Sequence, residues 1–204
     1  MANWITIGRI VLLFVGVALM LRPEFLSVLV GAMIALLVVV ADAVDGPVAR
    51  WRGETSKFGA VFDIVGDRIV EAVLFVTYAY LGAIPLGIPL VVISRGFLVD
   101  GVRGLALESG HTAFGPKTMM ASRLGRALTS SRASRATYGA AKAIAFVILP
   151  LAIALERADA PQTPAFLEPA LRSLGLLLAY FVTAFCVVRG VLVVYDARSL
   201  IRAS

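Results

Sequence analysis

The chain has 204 residues, of which 60% are hydrophobic and only 16% charged, and its formal net charge is +6. Too little polar surface remains to clothe a soluble globule, so the composition excludes an ordinary water-soluble domain and points to an integral membrane protein. One cysteine, Cys186, excludes an intrachain disulfide and reads as a small buried apolar side chain.

Six apolar stretches follow in chain order, over residues 5–21, 26–45, 59–84, 87–107, 138–156 and 172–195. Each approaches the ~20 residues needed to cross a hydrocarbon core, and backbone satisfaction in lipid makes each a helix. The expected fold is therefore all-α: an integral membrane bundle of six transmembrane helices, forming a single domain over residues 1–204. The first stretch is short, and its partly polar start, Asn3 to Arg9, predicts an interfacial entry turn before the span. No small-residue cleavage site follows it, so it is expected to be retained.

Basic residues set the expected orientation. Arg50, Arg52 and Lys57 separate stretches two and three, and Lys117, Arg123, Arg126, Arg132 and Arg135 separate four and five. Arg198 and Arg202 follow the sixth stretch, whereas the opposite loops hold Arg22 and Arg157. By the positive-inside rule both termini lie in the cytoplasm, in the cell (cytoplasmic) membrane. The positive charge then serves as topological address and attraction to anionic membrane lipids, and no nucleic-acid partner is expected. Residues 109–134 contain no acid. They read as a solvated cytoplasmic loop or a short amphipathic helix on the head groups, the alternative being a flap over a substrate site. His111, the only histidine, is given no catalytic role.

Four aspartates interrupt this apolar pattern. The chain reads Asp42-Ala-Val-Asp45-Gly46-Pro-Val-Ala49-Arg50, then eight residues, then Gly59-Ala-Val-Phe-Asp63-Ile-Val-Gly-Asp67. Asp42 and Asp45 share one helix face, while Gly59, Asp63 and Asp67 form a stripe at steps of four. Ionisable groups at bilayer depth are costly, and converging carboxylates repel one another unless a cation compensates them. Oxygen donors without clustered His or Cys favour Mg²⁺ or Mn²⁺ over zinc. Gly46 and Gly59 leave room for a bulky ligand, and Arg50 suits a phosphate oxygen or one of the aspartates. A divalent-cation permeation site is the alternative class, although such a pathway gains nothing from Arg50.

The pattern Asp-x2-Asp-Gly-x2-Ala-Arg-x8-Gly-x3-Asp-x3-Asp resembles the signature of the CDP-alcohol phosphotransferases, with all eight fixed positions present over 26 residues. The resemblance implies transfer of a substituted phosphoryl group from a CDP-linked alcohol to a second alcohol, with release of CMP. It implies two metal ions, one on Asp42, Asp45 and Asp63 and a second on Asp42, Asp63 and Asp67. It places Gly46, Ala49, Arg50 and Gly59 around the nucleotide and makes Asp67 the general base. It also implies a homodimer, and the orientation read from the basic residues puts the active site at the cytoplasmic side.

The acceptor is read from other cations. Arg95 and Arg103 lie eight apart, and Arg135 and Lys142 seven apart, so each pair falls near one helix face. Together they suit an acceptor bearing phosphate. The opening Asn3-Trp-Ile-Thr6-Ile-Gly-Arg9 and the run Ile93-Ser-Arg95 to Arg103 resemble phosphatidylglycerophosphate synthases within the family. That resemblance implies CDP-diacylglycerol as donor and glycerol 3-phosphate as acceptor. Ile64 stands where a proline is usual, and Ser134-Arg135-Ala-Thr-Tyr138 replaces an expected Gly-Lys-x-Lys-Thr segment. Phosphatidylinositol-phosphate synthase therefore stays as the alternative.

Overall fold

The computed structural model describes residues 2–51, 57–108, 120, 122–157 and 164–201. The described residues are helical throughout their regular structure, with no strand among them. The long helices are α1 (Ala2–Met20), α2 (Phe25–Trp51), α3 (Lys57–Tyr80) and α4 (Gly87–Glu108). A short α5 (Arg123–Gly125) runs into a π-helical segment (Arg126–Ser130), followed by α6 (Arg132–Glu156) and α7 (Leu167–Ile201).

Among the described residues, α6 and the Leu167–Arg198 part of α7 are long and apolar enough to cross a membrane. Residues 5–20 and 25–41 form shorter apolar stretches, while α3 and α4 carry Asp63, Asp67, Arg68 and Glu71, and Arg95, Asp100 and Arg103. Large apolar side chains stand exposed along the helices, including Phe14, Leu26, Val61, Phe97, Ile144 and Leu177. Such extensive apolar exposure is the surface of a membrane protein.

The chain divides into two compact units, Met1–Leu86 with Ala143–Leu177, and Gly87–Lys142 with Leu178–Ser204. In the first unit, Pro23 in the turn at 21–24 denies a backbone donor, and α2 then returns against α1. Their approach is too close for a side chain: a Cβ on Gly31 would lie 2.6 Å from the Gly16 carbonyl oxygen and 2.7 Å from Met20 Cγ. Small residues permit this contact in place of the hydrophobic drive that lipid removes. Gly31→Ala is expected to cost about 1–3 kcal/mol, the usual penalty of overpacking. Gly101, whose Cβ would meet open space, is the control. Thermal melts in detergent should separate the two variants, and equal melting temperatures would contradict the close packing.

The end of α3 is set by Gly82, whose φ of 75° is left-handed. The Ala83 N–H donates to the Tyr78 carbonyl and the Gly82 N–H to the Ala79 carbonyl, which satisfies the last turn. Tyr78 and Phe75 are buried against Phe146 of α6, with ring centroids 5.9 and 4.9 Å away. The Tyr78 hydroxyl donates to the Phe146 carbonyl at 2.8 Å, giving the polar end of a buried ring its partner. Arginines tie the helix ends: Arg157 donates to the carbonyls of Met20 and Arg22, and Arg172 to that of Gly82.

In the second unit, Val99, Val102 and Ala106 of α4 pack with Met120, Val193 and Ala197. Ser122 caps α5: its Oγ accepts from the Gly125 N–H at 2.9 Å and donates to Asp196 Oδ2 at 2.8 Å. A Cβ on Gly125 would fall 2.1 Å from that carboxylate oxygen, so α5 seats directly on α7.

One sequence expectation changes and one open choice narrows. Residues 3–9 are not an entry turn but the first two turns of α1, because Thr6 and Arg9 are buried with contacts on α3. Of the two readings of 109–134, the described part takes the short helix rather than the solvated loop, burying Gly125, Thr129 and Ser134 and exposing Leu124 and Arg126. Residues 109–119 and 121 lie outside the described residues.

Candidate functional site

The acid stripe is built on α3. Gly59, Asp63 and Asp67 follow at four-residue steps, and the side chains of Asp63 and Asp67 are 45% and 42% exposed. One turn further, Glu71 is buried and ion-paired with Arg68 at 3.0 Å. Beside the stripe α1 comes close to α3, since a Cβ on Gly66 would stand 2.6 Å from Thr6 Cγ2. That approach brings buried Arg9 to both acids. Its Nη1 lies 3.8 Å from Asp63 Oδ1 and its Nη2 3.4 Å from Asp67 Oδ1.

Asp42, Asp45, Gly46, Ala49 and Arg50 belong to the last turns of α2, and their side chains lie outside the described residues. Among the described residues no three His, Cys, Asp or Glu side chains gather in one place. Asp63 and Asp67 thus offer two partly open, oxygen-only donors one turn apart. That chemistry fits a hard divalent cation with further oxygen ligands, and does not suit zinc.

A cluster of cations forms in the second unit. Arg189 of α7 is buried, donates to the Thr129 carbonyl at 3.1 Å and lies 5.2 Å from the centre of the Tyr138 ring. Lys142 Nζ is 5.6 Å from the same ring, and the charges of Arg95 and Arg135 both act on Arg189. Arg95 packs on Gly190, where a Cβ would fall 2.8 Å from its Cγ. The Nε atoms of Arg95 and Arg189 are buried with no hydrogen-bond partner among the described residues.

Like charges held together with buried donors have the chemistry that suits an anion with several acceptor oxygens. Of the four cations nominated from sequence, Arg95, Arg135 and Lys142 converge on Arg189 and Tyr138. Arg103 instead has Asp100 as a neighbour, Nη1 to Oδ1 at 3.9 Å. A cleft of about 700 Å³, lined by apolar side chains such as Leu90, Leu98, Val187 and Val191, opens beside Arg95.

Sequence reasoning did not single out Arg9 or Arg189 as site residues. The signal for Arg9 was its pairing with Thr6 at helical spacing inside an apolar run. For Arg189 it was a lone cation within the apolar stretch from Phe181 to Val194, where an unexplained charge is costly.

Comparison with known proteins matches residues 1–185 to the family described as CDP-alcohol phosphatidyltransferase. The CDP-diacylglycerol–glycerol-3-phosphate 3-phosphatidyltransferase of Bacillus subtilis is 28% identical over 121 residues, 53% of this chain and 63% of that protein. The protein of the same name from Rickettsia typhi is 29% identical over 104 residues, 50% of this chain and 57% of its own. The phosphatidylinositol phosphate synthase of Corynebacterium glutamicum is 33% identical over 129 residues, 57% of this chain and 58% of its own. The chain spans 52–63% of the length of several curated relatives it matches. With the family pattern running through most of its length and the signature complete, the chain belongs to the CDP-alcohol phosphatidyltransferase family.

Proposed function

We propose that this protein is a phospholipid-synthesising transferase that moves the phosphatidyl group of CDP-diacylglycerol to glycerol 3-phosphate, releasing CMP. The observation that carries this reading is the complete signature in a chain of this family, with Asp63 and Asp67 one turn apart on α3. Relatives named for this reaction support the donor and acceptor. The acceptor hydroxyl attacks the phosphorus bearing diacylglycerol, the bond from that phosphorus to the CMP oxygen breaks, and the hydroxyl proton passes to Asp67. A carboxylate serves as base here because the site lowers the effective pKa of the alcohol.

The family is generally dependent on divalent cations. In our reading two ions, Mg²⁺ or Mn²⁺, are held by Asp42, Asp45 and Asp63 and by Asp42, Asp63 and Asp67. When bound, they supply charge neutralisation of the pyrophosphate and of the departing oxygen. Gly46, Ala49, Arg50 and Gly59 line the nucleotide site. Arg95, Arg135 and Lys142, joined by Arg189, take the acceptor phosphate, and Arg103 borders them along α4. Six spans, both termini in the cytoplasm and a cytoplasmic-side site in the cell membrane complete the arrangement, with 1–204 as one domain in a homodimer. The distribution of arginines and lysines supports this orientation.

A second reading, a phosphatidylinositol-phosphate synthase, is favoured by the 33% identity to the Corynebacterium glutamicum protein. It also needs a phosphorylated acceptor. Purified protein given CDP-diacylglycerol and Mg²⁺ should release CMP with glycerol 3-phosphate, and much less with inositol 1-phosphate or serine. Preference for inositol 1-phosphate would select the second reading, and no CMP release with any acceptor would overturn both.

A further inference from the structure

The N-terminal helix reaches the acid stripe through two buried polar side chains. Thr6 and Arg9 are three residues apart on α1, so they share one face. Thr6 meets α3 at Gly66, between the two acids, where there is no room for a Cβ. Arg9 is 5% exposed and divides its two Nη atoms between the acids, 3.8 Å to Asp63 and 3.4 Å to Asp67. Each contact is to Oδ1, a hydrogen bond to Asp67 and a longer ion pair to Asp63, so one guanidinium spans two carboxylates on successive turns.

A cation beside metal-binding carboxylates opposes metal binding by simple repulsion, so affinity for the ion is not what this contact supplies. Its contribution is geometric. A planar guanidinium anchored on a second helix restricts both carboxylate rotamers, which an ammonium on a free stem would not. It also supplies counter-charge to the acids before any ion arrives.

We infer that Arg9 is a positioning residue of the transfer reaction, fixing Asp63 and Asp67 from α1 and lowering their grip on the divalent cation. This rests on the assignment of both acids as metal ligands proposed above. Pre-set ligands favour turnover, and a moderated grip keeps the acids from being satisfied by the ion alone.

The test uses the full chain in detergent, with Mn²⁺ alone as the binding probe, read by electron paramagnetic resonance. Arg9→Gln should bind Mn²⁺ about tenfold more tightly, the size of a one-unit charge effect. Its kcat with CDP-diacylglycerol should fall about 10–100-fold, as when a ligand-orienting partner is removed. Without Mn²⁺ it should melt below wild type, and with Mn²⁺ the gap should narrow, because tighter binding returns stability. Arg9→Lys should keep the wild-type Mn²⁺ affinity but not the wild-type kcat.

A residue that merely holds α1 to α3 predicts otherwise: unchanged Mn²⁺ affinity and an equal melting deficit with and without the ion. That result overturns the proposal. The metal-free melts of wild type, Arg9→Gln, Asp67→Ala and the double variant form a cycle that judges the clamp by itself, since alanine leaves Arg9 no oxygen to contact. Non-additive shifts support it and additive shifts overturn it. Should Asp63→Asn bind Mn²⁺ like wild type, the metal assignment fails, while the cycle still decides whether Arg9 positions the acids.

Discussion

Asp67→Asn is expected to fold normally and to lose at least ~10²–10⁴ in kcat, the span typical of removing a general base. The amide oxygen of asparagine can still accept from Arg9, whose Nη2 lies 3.4 Å from Asp67 Oδ1, so the approach of α1 to α3 survives. It can also still touch a cation, which keeps the donor KM near wild type. Losing one negative charge should raise the metal requirement, but at saturating Mg²⁺ the remaining deficit is one of basicity, because an amide cannot take up the acceptor proton. Asp63→Asn should behave differently, since Asp63 is assigned to both ions: donor binding and turnover should disappear together. Steady-state CMP release with varied CDP-diacylglycerol separates the two patterns. If Asp67→Asn loses donor binding first, Asp67 is principally a ligand and the base is another group. If Asp63→Asn turns over normally at saturating Mg²⁺, the two-ion assignment is wrong.

The stripe that carries this prediction was legible because helical periodicity turns four-residue spacing into a face, and because aspartates stand out against apolar sequence. Apolar runs located every long helix among the described residues, since a long apolar run must close its backbone hydrogen bonds within itself once it leaves water. Helix ends were less legible. Starts and stops depend on hydrogen-bond closure rather than on hydropathy: α6 begins at Arg132, six residues before its apolar run, and α3 stops at Tyr80, where Gly82 turns the chain. The short α5 had no local signature, because its seat is made by Asp196, 74 residues from Ser122.

Partners of buried charges were the least legible. Arg9 looked like an interfacial residue because a cation near the start of a span usually snorkels to water. Only the approach of α1 at Gly66 turns it toward α3. Arg189 was passed over inside a long apolar stretch, although a charge there is costly enough to require a reason. Its compensation comes from two segments that no spacing rule connects, the Thr129 carbonyl and the Tyr138 ring, while the nearby Arg95 repels it. Arg103 shows the converse. It shares a helix face with Arg95 by spacing, yet its nearby acid, Asp100, lies three residues away on α4.

That contrast between two arginines of one helix yields the second large effect. Arg95→Gln should raise the acceptor KM sharply while leaving the donor KM almost unchanged. Arg95 packs on Gly190 within the cation cluster, and its Nε is buried without a protein partner among the described residues, a donor that the acceptor phosphate of our proposal would satisfy. Charge-assisted contacts of this kind are worth about 1.5–3 kcal/mol, which corresponds to a roughly 10–150-fold loss in acceptor kcat/KM. Glutamine keeps much of the stem that fills the space at Gly190, so the loss reports charge rather than packing. Arg103→Gln should cost much less, because the Arg103 guanidinium already has Asp100 as a neighbour at 3.9 Å. Kinetics with glycerol 3-phosphate varied at saturating CDP-diacylglycerol, then the reverse, measure both terms. Equal losses for donor and acceptor in Arg95→Gln would remove the phosphate receptor from this cluster. Losses in Arg103→Gln as large as those in Arg95→Gln would instead extend the receptor along α4, with Asp100 giving up its neighbour when the acceptor binds.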